Sequence, residues 1–460
     1  MSDTPDPRRW WMLPVILTGS FLSFLDFFIV NIALPAIHAD LDASPAQLQL
    51  VVAAYGIGFA VSLITGGRLG DIYGRRRAFL GGLACFALAS ALCAVAPSAP
   101  VLIGSRVIQA VAAATLTPQV LAIIRMEFAP RERRIAIGLY GTSMGLASIA
   151  AQVVGGALVS ANLFGWSWRL IFLINIPIGL VAFCLALLML RESRSGDRPT
   201  LDLPGVALIS LALFLLVYPL VEGREQHWPA WSFAMLAASL SSLFGFIRYE
   251  ESVIRSGRTP LVALHLIRIP AIGYGLVVSA AFFTGVAAFF VVLTVVLQTG
   301  LGYSAFAAGM MFLPFAIGFC IASAASGPVG VRLGARIVNL GSALMALSLA
   351  CLVALPSMDA RALVVLFTLY GVGQGFAQPA LINTVVGASG VAGEDAGAAA
   401  GLFLTTAQSC IALGVAAIGD VFFAHLGVAP TQADYLAAMQ IALSCNLSLQ
   451  IATFVLVLKS

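Results

Sequence analysis

The chain has 460 residues, 60% of them hydrophobic and only 10% charged, with mean hydropathy +1.01 and a formal net charge of +4. A soluble domain of this length carries roughly 25% charged residues, so this chain cannot cover its surface in water and lipid must be its solvent. No soluble domain, nucleic-acid patch or low-complexity tail is large enough to matter.

The first apolar stretch, about Leu13 to Ile37, is too long for a signal-peptide core and lacks a small-residue cleavage site, so it reads as a retained span. At about 20 apolar residues per crossing, further spans follow. They lie near 47–68, 78–96, 101–123, 135–160, 168–190, 203–221, 230–248, 270–297, 305–327, 337–356, 362–387, 397–423 and 435–458. That makes an all-α integral membrane protein of fourteen spans, and the even number puts both termini on one side. Basic residues choose the side. Nineteen of the 24 Lys and Arg fall in loops of one face, among them Arg8, Arg9, Arg75, Arg76, Arg77, Arg125, Arg191, Arg194, Arg198, Arg258, Arg336 and Lys459. The other face receives Arg169, Arg224 and Arg361, while Arg68 and Arg106 lie within spans. The expected topology is therefore a multi-pass inner-membrane protein with cytoplasmic termini and a cytoplasmic loop from Arg191 to Pro199. The tryptophans Trp10, Trp11, Trp166, Trp168, Trp228 and Trp231 fall at the expected interfaces.

Two loops repeat. Gly67, Gly70, Gly74 and Arg76 recur as Gly327, Gly330, Gly334 and Arg336, and Pro118 recurs as Pro379 one register later. Matching positions in the topology suggest two six-span halves, 1–191 and 269–460, with two spans inserted between them over 192–268.

Among the acidic residues, Asp26 alone lies deep in a span. It stands ~20 Å along a helix that rises 1.5 Å per residue, where a charge costs ~2.5–3.5 kcal/mol. Its protonation can depend on which way a cavity opens, because burial favours the neutral form and a nearby cation the charged one. A structural Asp locked to a helix partner is the plainer alternative. Arg106, well inside span 4, needs a partner or water; Asp26, Gln109 and Asn31 are the candidates, with snorkelling to the outer interface the alternative. The seven cysteines fall in apolar segments without metal-type spacing and the four histidines are scattered near span ends, so neither a metal nor another cofactor is expected. No G-x-x-x-x-G-K-[ST] loop occurs, which leaves a gradient rather than ATP as the driving force.

Span 1 carries F-L-D-F-F-I-V-N-I-A-L-P (Phe24 to Pro35), and the loop after span 2 carries Gly67, Leu69, Asp71, Gly74, Arg75 and Arg76 in the pattern G-x-L-x-D-x-x-G-R-R. Span 4 holds Arg106 and Gln109 of R-x-x-Q-G, with Ala110 for the glycine, and W-S-W-R-L-I-F-L-I-N-I-P-I-G runs from Trp166 to Gly179. Over essentially the whole chain this resembles the major facilitator superfamily, and within it the fourteen-span drug:proton antiporters of the EmrB/QacA type. Span 1 departs from their signature at Phe28, where Thr is usual. Span 5 keeps Gly141, Gly145, Gly155 and Gly156 of the antiport motif but has Ala151-Gln152 in place of Gly-Pro.

The resemblance implies a secondary transporter, not an enzyme, in which Arg106 serves proton coupling with Asp26. The glycine-rich loop reads as a conformational latch on the cytoplasmic side, with Asp71 meeting arginines or a helix N-terminus; setting topology is the plainer role of Arg75, Arg76 and Arg77. The span 5 glycines allow close approach of a neighbouring helix. Phe27, Phe28, Phe282, Phe283, Phe289, Phe290, Phe312, Phe315 and Phe319 are candidates to line an apolar cavity. Asn31, Gln109, Gln298, Gln374, Gln378, Asn383 and Gln408 are the polar substrate contacts to test. The expected function is proton-driven export of drugs or other amphipathic molecules. A dedicated metabolite exporter, a proton-coupled importer and a non-transporting membrane sensor are the alternatives. The expected partners are a small-molecule substrate, protons and the bilayer. The fold leaves room for a periplasmic adaptor and an outer-membrane channel around a monomer.

Overall fold

The computed structural model describes residues 9–193, 202–256, 260–262, 264–355, 359–386, 396–426 and 430–458. Arg8, Arg194, Arg198, Arg258, Lys459 and most of the loop from Arg191 to Pro199 lie outside the described residues.

Fourteen helices among the described residues are long and apolar enough to cross a membrane, as expected, and no strand occurs among them. Without water in the hydrocarbon layer every backbone N–H must be satisfied inside its own segment, and the helix does this. In chain order they begin with α1 (Arg9–Leu41), α2 (Pro45–Tyr73), α3 (Arg75–Ala94), α4 (Ala99–Glu127), α5 (Pro130–Ala161) and α6 (Ser167–Met189, short helical turns leading into the helix Asn175–Met189). Then come α7 (Leu203–Glu225) and α8 (Ala230–Arg255). The second half holds α9 (Pro270–Val295), α10 (Ala305–Leu333), α11 (Arg336–Ala354), α12 (Ala360–Val386), α13 (Ala396–Ala424) and α14 (Gln432–Leu458).

The ends follow from local chemistry. Ser44 and Gln47 form a reciprocal capping box ahead of α2, with Pro45 at the first helical position. Gly74 ends α2 at φ 107°, a left-handed conformation that costs glycine little and other residues more. One boundary and one side chain differ from expectation in ways that matter. Helix α8 continues to Arg255, past the expected end at 248, which carries Glu250 into the helix. Trp168 is fully buried rather than set in an interfacial belt, and its indole N–H donates to Asp40 at 3.0 Å.

In the first half α4 packs against α1, α2 and α3, and α5 against α1; in the second α12 packs against α10 and α11, and α9 against α13 and α14. The halves meet along two seams, α2 with α13 and α5 with α10. The α7–α8 hairpin leans through α7 on α2 and α13. Call the end of the bundle that holds Gly74 the motif face and the opposite end the far face. The far face is zipped shut. The Gln298 amide donates to the Ile32 carbonyl at 2.8 Å, and the Phe306 N–H to Ser160 at 2.9 Å. A Cβ on Gly156 would stand 2.6 Å from the Ala305 carbonyl oxygen. Toward the motif face the same seam parts: Gly138 and Gly141 face open space. On the same face, but between α2, α4 and α13 rather than at that seam, a cavity of about 470 Å³ is lined by Gly67, Arg68, Asp71, Arg75, Arg125, Leu261, Val262 and Leu402 among others.

Candidate functional site

Asp26 and Arg106 are both fully buried and form an ion pair between α1 and α4. With their partners the network spans five helices, α1, α2, α3, α4 and α6. Arg106 Nη1 also donates to Gln109 Oε1 at 2.7 Å, and Gln109 Nε2 returns a bond to Asp26 Oδ1 at 2.9 Å. Asn175 Nδ2, from α6, donates to the same Oδ1 at 2.7 Å, and Ser90 of α3 accepts from both amides. Arg106 Nε donates to the Val51 carbonyl of α2 at 3.3 Å, and its guanidinium lies 4.2 Å from the Tyr55 ring centroid. A cation over an aromatic face in a desolvated site gains further attraction. One donor, Arg106 Nη2, has no partner.

This geometry sets aside one alternative and one candidate partner. Arg106 does not snorkel: its exposure is 0% and it points into the bundle. Asn31 is not its partner, since the Asn31 amide donates back to Phe28 O at 3.2 Å in its own helix. Asn175 and Ser90 are the network members that residue reading missed. Asn175 was visible as the lone amide in the apolar run after Trp168, but nothing local says that it faces Asp26. Ala110, standing where the R-x-x-Q-G pattern has glycine, packs against Gly58, whose Cβ would lie 3.0 Å from the alanine methyl. The glycine missing from α4 is supplied by α2.

The loop motif is bound within its own half. Arg75 pairs with Asp71 at 3.3 Å, and Arg76 donates from its side chain to Leu187 O at 2.7 Å. Glu192, just past α6, takes the Arg76 N–H at 3.2 Å and approaches Arg77 at 3.6 Å. Its carboxylate also fills the space beside Gly74, where a Cβ would stand 2.3 Å from Oε1. Gly66 and Gly70 bring α2 onto α4, with Gln119 donating to Gly66 O at 2.8 Å, while Gly67 touches Pro118 at ordinary distance.

Along α5 the glycines divide their work. Gly155 faces Ile29 and Ile32 of α1, while Gly145 and Gly156 face Cys320 and Ala305–Phe306 of α10. Gly141 is corrected: nothing lies within 4 Å of its Cβ position, so it packs no helix here. The Gln152 carbonyl lies 2.2 Å from the Cβ position of Gly309, and its buried side-chain amide has no partner.

The aromatic residues do not line an open cavity. Phe289 stacks on Tyr370 at 3.9 Å and meets Phe290, Phe312, Phe315 and Phe367, and all six rings are buried. Phe282 and Phe283 are likewise packed inside, and Phe319 lies against Phe315. Phe27 packs on Tyr55, and Phe28 crosses between halves to Phe290 at 5.6 Å. Gln374 donates to Gln378 at 3.1 Å, and Asn383 is exposed. Gln408, on α13 beside Gly56, keeps a buried Oε1 without a donor.

The Major Facilitator Superfamily model matches residues 16–415. The chain is a member of the major facilitator superfamily. Its relatives include proteins named for transport, export or resistance. It is 37% identical over 431 residues to a probable actinorhodin transporter of Streptomyces coelicolor, covering 92% of this chain and 74% of the relative. The cephamycin export protein CmcT of Amycolatopsis lactamdurans is 36% identical, with 88% and 83% covered, and the puromycin resistance protein pur8 of Streptomyces alboniger 34%, with 91% and 82%. Among solved structures, a bacterial homologue of the human lysosomal transporter Spinster, inward-facing and unoccupied, superposes with TM-score 0.72 at 16% identity over 99% of this chain and 97% of that one. That likeness concerns the fold. As a major facilitator transporter, the protein moves small molecules rather than transforming them.

Proposed function

We propose that this transporter exports an amphipathic small molecule in exchange for protons by alternating access, with Asp26 as the proton carrier and Arg106 as its charge partner. The observation that carries this reading is the Asp26–Arg106 pair, buried at 0% exposure between α1 and α4. A carboxylate is retained at such depth at high cost, and its charge is tolerable only while the guanidinium stays with it. The arginine-rich motif face is assigned to the cytoplasm by the positive-inside rule, so the conformation described is open inward and closed outward. The six-, two- and six-helix division at 191 and 268 supplies the rocking bodies. Asp71, here paired only with Arg75 of its own loop, is free to engage the second half when the motif face closes.

One proton falling through about 100 mV is worth ~2.3 kcal/mol, enough for a roughly fiftyfold gradient of a neutral solute. Export of a single natural product is the second reading, favoured because the relatives above are named for individual antibiotics. A susceptibility panel in an efflux-deficient host identifies a transported compound. In everted vesicles that compound should then release protons with the wild type and not with Asp26→Asn, which should still bind it and exchange it. Uphill transport by Asp26→Asn would make the carboxylate structural.

A further inference from the structure

A pair of buried carboxyl groups lies away from the Asp26 network, where the inserted hairpin meets the cavity mouth. Asp202, ahead of α7, is 8% exposed and Glu250 of α8 is 0% exposed. Asp202 Oδ1 accepts from the Gly205 N–H at 3.1 Å and the Tyr249 hydroxyl at 2.8 Å. Glu250 Oε2 accepts from the Val262 N–H at 3.1 Å. The remaining oxygens, Asp202 Oδ2 and Glu250 Oε1, are buried without a donor from any other group. Both crowd the same point, 2.4 and 2.8 Å from the Cβ position of Gly205. Two carboxylate oxygens facing each other out of water repel, whereas one proton between them satisfies both.

The surrounding charges agree with a single proton. Burial opposes the charge on Asp202. The hydrogen bonds from Glu250, Tyr249 and Gly205 N–H, with the Arg68 guanidinium, outweigh it and hold that carboxyl below the usual range. Arg68 faces the pair from α2 and donates to the Pro260 carbonyl. The neighbouring acid on α8, Glu251, is engaged instead by Arg255 and Arg268. The pair therefore holds one negative charge opposite one cation when the proton is present and two when it is absent. Residues 260–262 form a strap tied to Glu250 at Val262 and to Arg68 at Pro260. Leu261, Val262 and Arg68 also line the motif-face cavity, beside Asp71 and Arg75.

We propose that Asp202 and Glu250 share one proton and form a second protonation site, which fastens the inserted helix pair to the cavity mouth and makes the mouth's shape depend on that proton. With the proton in place, Glu250 donates to Asp202 Oδ2 and holds Val262. When it leaves, the Glu250 carboxylate turns from its neighbour toward the wet mouth and releases the strap. The site goes beyond the Asp26 reading and is independent of it, because its test uses no substrate.

The purified full chain in nanodiscs is titrated while infrared spectra and amide hydrogen exchange are recorded. A protonated-carboxyl band should titrate in wild type and in Asp26→Asn, and should be lost in Glu250→Gln and Asp202→Asn. Exchange at 260–262, corrected for intrinsic rate, should rise about two- to tenfold as the wild-type band disappears, as loss of one hydrogen bond to a neutral carboxyl predicts. In Glu250→Gln, which keeps an acceptor and a donor in place, that exchange should not respond to pH. Should Glu250→Gln retain the band, or should the strap respond to pH as in wild type, the shared proton is refuted. If Glu250→Gln fails to fold, Asp202→Asn carries the same two readouts.

Discussion

Two alanines on one helix should behave oppositely. At Gly156 a new Cβ would lie 2.6 Å from the Ala305 carbonyl oxygen and 2.9 Å from Phe306 Cα. Both neighbours are backbone, so no rotamer change relieves the clash and α5 must move away from α10. Overpacking of this kind costs about 1–3 kcal/mol, offset by up to about 1 kcal/mol of helix propensity gained on replacing glycine. The penalty falls on the conformation described, in which the far face is shut and α5 and α10 touch at this point. A net 1–2 kcal/mol lowers the population of the shut far face by about five- to thirtyfold. At Gly141 the Cβ position is empty, so Gly141→Ala should be neutral or stabilising by up to about 1 kcal/mol. Amide exchange over 298–306, read in purified protein, should accelerate for Gly156→Ala and stay at the wild-type rate for Gly141→Ala. Unchanged exchange in Gly156→Ala, or equal disturbance by both, would refute the account of the seam.

Arg106→Ala should lower thermal stability by about 3–5 kcal/mol, since it leaves Asp26 buried without its cation; adding Asp26→Asn should restore part of that loss, and strictly additive losses in denaturation would dissolve the pair. Asp71→Asn should cut transport far more than expression, because it removes a charge from the mouth rather than from packing; normal export by well-folded protein would leave the loop a topological role only. Reporter fusions at Gly196 and Ser460 should both read cytoplasmic, and an external signal at either would overturn the orientation.

Span number, the burial of Asp26 and the glycine-rich loop were legible in the sequence. The bilayer makes local demands: about 20 apolar residues per crossing, and a visible cost for any charge within them. What a buried group does is not local. Asn175 reaches Asp26 from 149 positions away and Glu192 reaches the Arg76 N–H from 116, and no periodicity announces either. The same holds for the glycines of α5: Gly141 and Gly156 are alike in the chain, yet one faces open space and the other another helix's backbone. Asp202 and Glu250 lie 48 positions apart outside the apolar stretches that mark spans, and only the packing of α8, which continues to Arg255, brings both beside Gly205. Apolar length places helices in lipid, whereas the partners of a polar side chain depend on which faces the packed helices turn toward one another.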